Sequence, residues 1–139
     1  AGDEYRILQR QLQDLRVANQ LDDYGQELYR TTFLTIPQTL FEQERYADAL
    51  SGFRTVTSRF PDHVSALTAY VLMARCHSRL GEPDEARLQF EQARVVLGRL
   101  SDEAFASPST GMTREQWRAW IEWARQIHDS QNQKVATSS

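Results

Sequence analysis

One cysteine, Cys76, stands alone in a chain of 139 residues. It has no partner for an internal disulfide, so covalent stapling does not hold this fold, and the residue says little about compartment. No apolar run approaches the roughly 20 residues a helix needs to span a bilayer. No signal peptide is readable. The chain starts Ala1-Gly2 without Met, as an excised or processed piece would, and a removed leader stays open. There is no basic excess either. Lys and Arg number 16 against 19 Asp and Glu, the net charge is −3 and the pI about 5.6. A nucleic-acid partner is not expected of that balance.

Chemistry is scarce in the same way. The three histidines, His63, His77 and His128, form no H-x3-H spacing with a further ligand nearby, so no metal site is expected. Cys76 and His77 are sequence neighbours and on a helix point about 100° apart. They read as a packed thiol beside a partly exposed imidazole. The acid pairs Asp22-Asp23, Asp84-Glu85 and Asp102-Glu103 lie near helix ends, where the helix dipole and solvation account for them. No G-x-S-x-G and no Gly-rich phosphate loop occur. No catalytic residue and no cofactor are expected, and the chain reads as a non-enzyme.

What remains is ordinary soluble composition, 40% hydrophobic and 25% charged. A chain of this length buries about two-thirds of its unfolded surface, enough for a core. Residues 1–131 read as one domain, with 132–139 as a flexible tail.

Two segments carry the organisation. Tyr46-Ala-Asp-Ala49-Leu-Ser-Gly-Phe53-Arg-Thr-Val56 and Pro83-Asp-Glu-Ala86-Arg-Leu-Gln-Phe90-Glu-Gln-Ala93 share one pattern: a small residue, an aromatic four later, a small or β-branched residue three after that. Ala49 and Ala86, like Phe53 and Phe90, are 37 positions apart. A fixed offset of this size marks stacked helix-turn-helix units. Two helices approach closely where one presents a small residue, and the adjacent Phe fills the groove beside it. The punctuation agrees. Phe60-Pro61-Asp62 closes one unit, with Asp62 a candidate helix cap. Gly81 sits where a left-handed residue ends a helix, and Pro83 falls in the first turn of the next. Leu67, Tyr70, Val71, Ala74 and Leu80 fall on a helical stripe.

These residues resemble the tetratricopeptide family, whose pattern is roughly W-x2-L-G-x2-Y, then A-x3-F-x2-A, then P. Ala49, Phe53 and Pro61 match in one unit, and Ala86, Phe90 and Ala93 in the next. The first half of the pattern is weaker: Tyr70 and Ala74 stand for the aromatic and the glycine, and His77 replaces Tyr. The offset of 37, against the usual 34 or so, is similar to a subgroup found in bacterial envelope-assembly proteins. The resemblance covers roughly residues 30–100. It implies an all-α fold of about six helices: an N-terminal helix over 3–23, hairpins over 24–60 and 62–100, and a C-terminal capping helix over 112–129.

Within that frame several details are open. Tyr5, Leu8, Leu12 and Leu15, with Asn19 in register, form a short heptad seam. It serves either as a cap lying along the repeats or as a self-association seam giving a homodimer. Pro37 either kinks a continuous helix or lets it restart with Thr35 and Gln38 as a capping box. Helices are expected over Ala47–Ser58, Asp62–Leu80 and Pro83–Leu100, then a loop over Ser101–Gly111. Thr113 and Gln116 signal a capping box, followed by a helix to about Asp129. On it Trp117, Trp120, Ile121, Ala124 and Ile127 share a face, and Trp123 reaches its edge, as packing or as an anchor for a partner.

The resemblance also implies function: a protein or peptide partner held in a groove lined by the first helix of each pair. By position that gives Thr31, Leu34, Gln38 and Phe41 from one unit, and Thr68, Val71, Arg75, Ser78 and Arg79 from the next. Arg75 and Arg79 share a helix face and either hold a carboxylate or pair with Glu82, Asp84 or Glu85. Leu34 and Val71 would supply apolar contact. The family's lysine-and-asparagine clamp for a chain-end carboxylate is absent from the matching positions.

Overall fold

The computed structural model describes residues 2–17, 23–106 and 111–138. The described residues form six α-helices: α1 (Gly2–Val17), α2 (Asp23–Glu42), α3 (Tyr46–Arg59), α4 (Ser65–Arg79), α5 (Pro83–Arg99) and α6 (Arg114–Ser138), with a 3-10 turn at Asp102–Phe105 before α6. Each helix packs on the next. In addition α4 touches both α2 and α6. This is a stack of helical hairpins, α2 with α3 and α4 with α5, in which α6 occupies the place of the first helix of a third unit.

The repeat extends into the backbone. At the end of α2, the Glu44 N–H donates to Phe41 O at 3.0 Å and the Arg45 N–H to Leu40 O at 2.9 Å. At the end of α4, Gly81 donates to Ser78 O at 3.2 Å and Glu82 to His77 O at 2.8 Å. Both are Schellman turns, and both need a residue at positive φ. Gly81 has φ 75°, and Glu44 has φ 61° in a side-chain-bearing residue.

The core has two parts with α4 between them. On one side Ala49, Leu50, Phe53 and Val56 of α3 meet Ala69, Met73 and Cys76 of α4. On the other, Leu67, Val71 and Ala74 of α4 meet Ala86, Phe90, Ala93, Val96 and Leu97 of α5, with Trp117 and Ile121 of α6. Ala49, Phe53 and Ala86 are wholly buried, and Phe90 nearly so. The repeated small–aromatic pattern is therefore the inner face of each second helix. Burial of an aromatic of this size contributes on the order of 2–3 kcal/mol.

Helix α2 runs unbroken through Pro37. No restart occurs, because the Thr35 hydroxyl donates to Thr31 O at 2.9 Å inside the helix and caps nothing. Pro37 is buried against Gly52, where an added Cβ would lie 2.7 Å from the proline Cβ. The ring thus sets the closest approach of the first hairpin. Asp62 does not cap α4. The helix starts at Ser65, and His63 takes the capping role, its Nδ1 accepting the Ser65 N–H at 3.1 Å.

Helix α1 lies on α2. Leu12 is buried there, while Leu8 is half-buried and Tyr5 and Leu15 are exposed. Gln9 donates to Thr32 Oγ1 at 3.4 Å, the Tyr29 hydroxyl donates to Gln13, and Arg16 stacks over the Tyr29 ring at 5.4 Å. The proposed seam is therefore divided, because its Leu12 already packs within the chain. Asn19, Asp22 and the Ser107–Thr110 part of the proposed loop lie outside the described residues.

At the other end, Thr113 and Gln116 close a reciprocal capping box, Gln116 Oε1 accepting the Thr113 N–H at 2.8 Å and Thr113 Oγ1 accepting the Gln116 N–H at 3.2 Å. The helix continues to Ser138 rather than ending near Asp129. Arg114 fixes its angle: the guanidinium donates to Leu97 O at 2.5 Å and Leu100 O at 2.7 Å, the last carbonyls of α5, and sits 4.6 Å over the Phe105 ring.

Candidate functional site

Helices α2, α4 and α6 line one face, and three hollows open along it. The first, about 270 Å³, lies between Glu27, Arg30, Leu34 and Gln38 of α2, Thr68 of α4 and Trp117 of α6. The second, about 170 Å³, lies between Arg75, Ser78 and Arg79 of α4 and Trp120, Trp123 and Ile127 of α6. A third groups Gln38, Phe41 and Glu42 with Leu72 and Arg75.

The residues singled out from sequence fall along this face but do not form one uniform groove. Leu34, Gln38 and Thr68 border the first hollow, with Thr31 at its exposed edge. Arg75, Ser78 and Arg79 border the second. Val71 forms the wall behind it and is wholly buried, so it offers a partner no surface of its own. The reason is the position of α4: with helices on both sides, Val71 is taken up by the α5–α6 core. The exposed apolar surface comes instead from Trp123, 60% exposed, and Ile127, 38% exposed. Ile127 was expected inside, but His128 takes that place and is buried against Phe90, its Nδ1 3.3 Å from Ser78 Oγ and its Nε2 3.0 Å from Asn132 Nδ2. Trp117 is buried and meets half-buried Trp120 edge-on at 5.5 Å.

The two arginines are not tied down by the acids that follow them. Glu82 accepts from His77 Nδ1 at 2.9 Å, and Asp84 pairs with Arg87. His77, expected to be partly exposed, is buried. Arg75 stacks on Phe41 at 5.1 Å. Among the described residues neither Arg75 nor Arg79 has a carboxylate within ion-pair distance.

Reactive groups are quiet. Cys76 is buried, and burial pushes its thiol up to about 11, so it is protonated at neutral pH. No group of three or more His, Cys, Asp or Glu among the described residues is placed to hold a metal ion. No helix among them is long and apolar enough to cross a membrane.

Residues 27–94, from α2 into α5, match the family model described as tetratricopeptide repeat. The α2–α3 and α4–α5 hairpins are thus similar to tetratricopeptide repeats in sequence and in their helical-hairpin fold. Such repeats generally mediate protein–protein interaction and are typically non-catalytic. No curated protein and no solved structure matches the chain significantly.

Sequence reading missed two things here. It offered α6 as a cap, with Trp123 as packing or a partner anchor, but left it out of the groove, because the family pattern stops before it, yet α6 supplies half of the second hollow. It also passed over Arg30, since nothing in its local sequence separates it from a solvated surface arginine.

Proposed function

We propose that this chain holds an extended acidic segment of a partner protein along the face made by α2, α4 and α6. The observation that carries this reading is the mouth of the second hollow. Two guanidiniums one helical turn apart stand there without a carboxylate of their own among the described residues, beside an exposed tryptophan. A carboxylate side chain would meet Arg75 and Arg79 in charge-assisted hydrogen bonds, and an apolar neighbour would lie on Trp123 and Ile127. Leu34, Gln38 and Thr68 would continue the track across α4. The offset of 37 and the long link after Pro61 support a place in the bacterial envelope-assembly subgroup.

The test is selection from a random peptide library, followed by calorimetry on the enriched peptides. Enrichment in Asp and Glu beside one apolar residue is expected. Arg75→Ala with Arg79→Ala should weaken binding at least tenfold, about 1.4 kcal/mol or more, and added salt should weaken the wild type. Affinity indifferent to both arginines and to Trp123→Ala would remove the assignment.

A further inference from the structure

Three buried side-chain nitrogens have no hydrogen-bond partner among the described residues: Arg30 Nε, His63 Nε2 and Trp117 Nε1. They come from three places in the chain, α2, the α3–α4 link and α6. All three residues border the first hollow. Trp117 is 6% exposed, so water does not reach its indole freely. Buried polar groups in native proteins are almost always paired, so three unpaired ones around a single hollow is a concentration that asks for an acceptor.

Each is a donor. An indole nitrogen and a guanidinium Nε donate only. His63 Nδ1 accepts the Ser65 N–H, which leaves the proton of a neutral ring on Nε2. Burial above all, and Arg30 next, lower the His63 pKa against the opposing pull of Glu27, and favour that neutral ring. The charge of the hollow is also balanced. Arg30 Nη2 already pairs with Glu27, whose carboxylate also lies 3.7 Å from His63 Nε2. An incoming anion would meet that carboxylate. A neutral oxygen would not. The walls of Leu34, Val64 and Met112 suit the carbon skeleton behind such an oxygen.

We infer that the hollow between α2, the α3–α4 link and α6 receives a neutral carbonyl oxygen of the partner segment, from its main chain or from an Asn or Gln carboxamide. This rests on the partner-binding reading of the same face, but its chemistry is separate from that of Arg75 and Arg79.

The test uses small probes on the intact, 15N-labelled chain. N-methylacetamide stands for a main-chain carbonyl, propionamide for a carboxamide side chain, and acetate for an anion. The Trp117 indole N–H and Arg30 Nε–H resonances are followed by NMR, assigned with Trp117→Phe and Arg30→Lys. Saturable downfield shifts with at least one amide, and at least fivefold weaker effects with acetate, are expected. Tighter binding of N-methylacetamide assigns the main chain, and of propionamide the side chain. Because Trp117→Phe alters the core, Thr68→Met, which fills the hollow, serves as the control. It should abolish the shifts while the far-UV spectrum stays that of the wild type. Acetate saturating at lower concentration than both amides, no saturable shift with either amide, or shifts that survive Thr68→Met would each overturn the inference. The two amide probes carry no charge and no peptide side chain beyond one amide. A failed library selection therefore leaves their result standing, and their failure leaves the Arg75–Arg79 reading intact.

Discussion

At the level of single residues, the two Schellman turns make a controlled comparison. Gly81 takes positive φ without a steric cost, and Glu44 takes it with a Cβ. A left-handed side-chain-bearing residue costs roughly 1–2 kcal/mol, partly offset by the extra freedom glycine has when unfolded. Glu44→Gly should therefore stabilise the chain by about 1 kcal/mol and raise the melting temperature by a few degrees. The change should appear in thermal unfolding followed by circular dichroism. His63 sets a pH dependence. Burial, then Arg30, hold its pKa below the ordinary 6.5, with Glu27 pulling the other way. As pH falls through 6.5 the unfolded chain takes up the proton first. Stability then declines until the lower folded value is passed, below which the loss stops growing. Melting temperatures compared at pH 7 and pH 5.5 should drop more for the wild type than for His63→Gln. Much at this scale was legible. Ala49, Phe53, Gly81, Pro83 and the Thr113–Gln116 box have local signatures and sit as those signatures imply. Asp62 was not, because a histidine one residue further on reached the same backbone group, and a side chain's reach is decided by the turn and not by cap preference.

For whole helices, the flanks were harder to read than the middle. Helix α4 is apolar on two sides, so its stripe predicted a buried helix but not which residues would stay accessible. Val71 went to the core and Trp123, on another helix, took the exposed place. Helix α6 depends on contacts far from it in sequence. Arg114 ties it to the end of α5 through two carbonyls, and Arg94 reaches Glu122 at 3.0 Å, where Glu122 also meets Arg125. Arg114→Ala should cost about 1–2 kcal/mol, since hydrogen bonds to a charged donor are lost and two helix-end carbonyls are left without it. Hydrogen exchange should report faster opening of α6 and the last turn of α5, with α2 and α3 little changed. Equal acceleration along the whole chain would mean that α6 is not a separable element.

Across the whole molecule, the main packing among the described residues joins helices one or two places apart along the chain. The offset of 37 forecast such a stack, and the all-α class followed from it. What the offset could not carry was the meeting of Arg30, His63 and Trp117, because their positions share no motif and converge only when three helices are laid side by side.

The place of α4 between the two halves of the core has a kinetic consequence. Short-range packing means low contact order, and chains of that kind refold in microseconds to milliseconds. A linear stack can also begin to order at either end. Here both routes must pass through Ser65–Arg79: neither half of the core closes until that helix is present. The segment that walls all three hollows on the face of α2, α4 and α6 is thus also the one on which the barrier to folding turns.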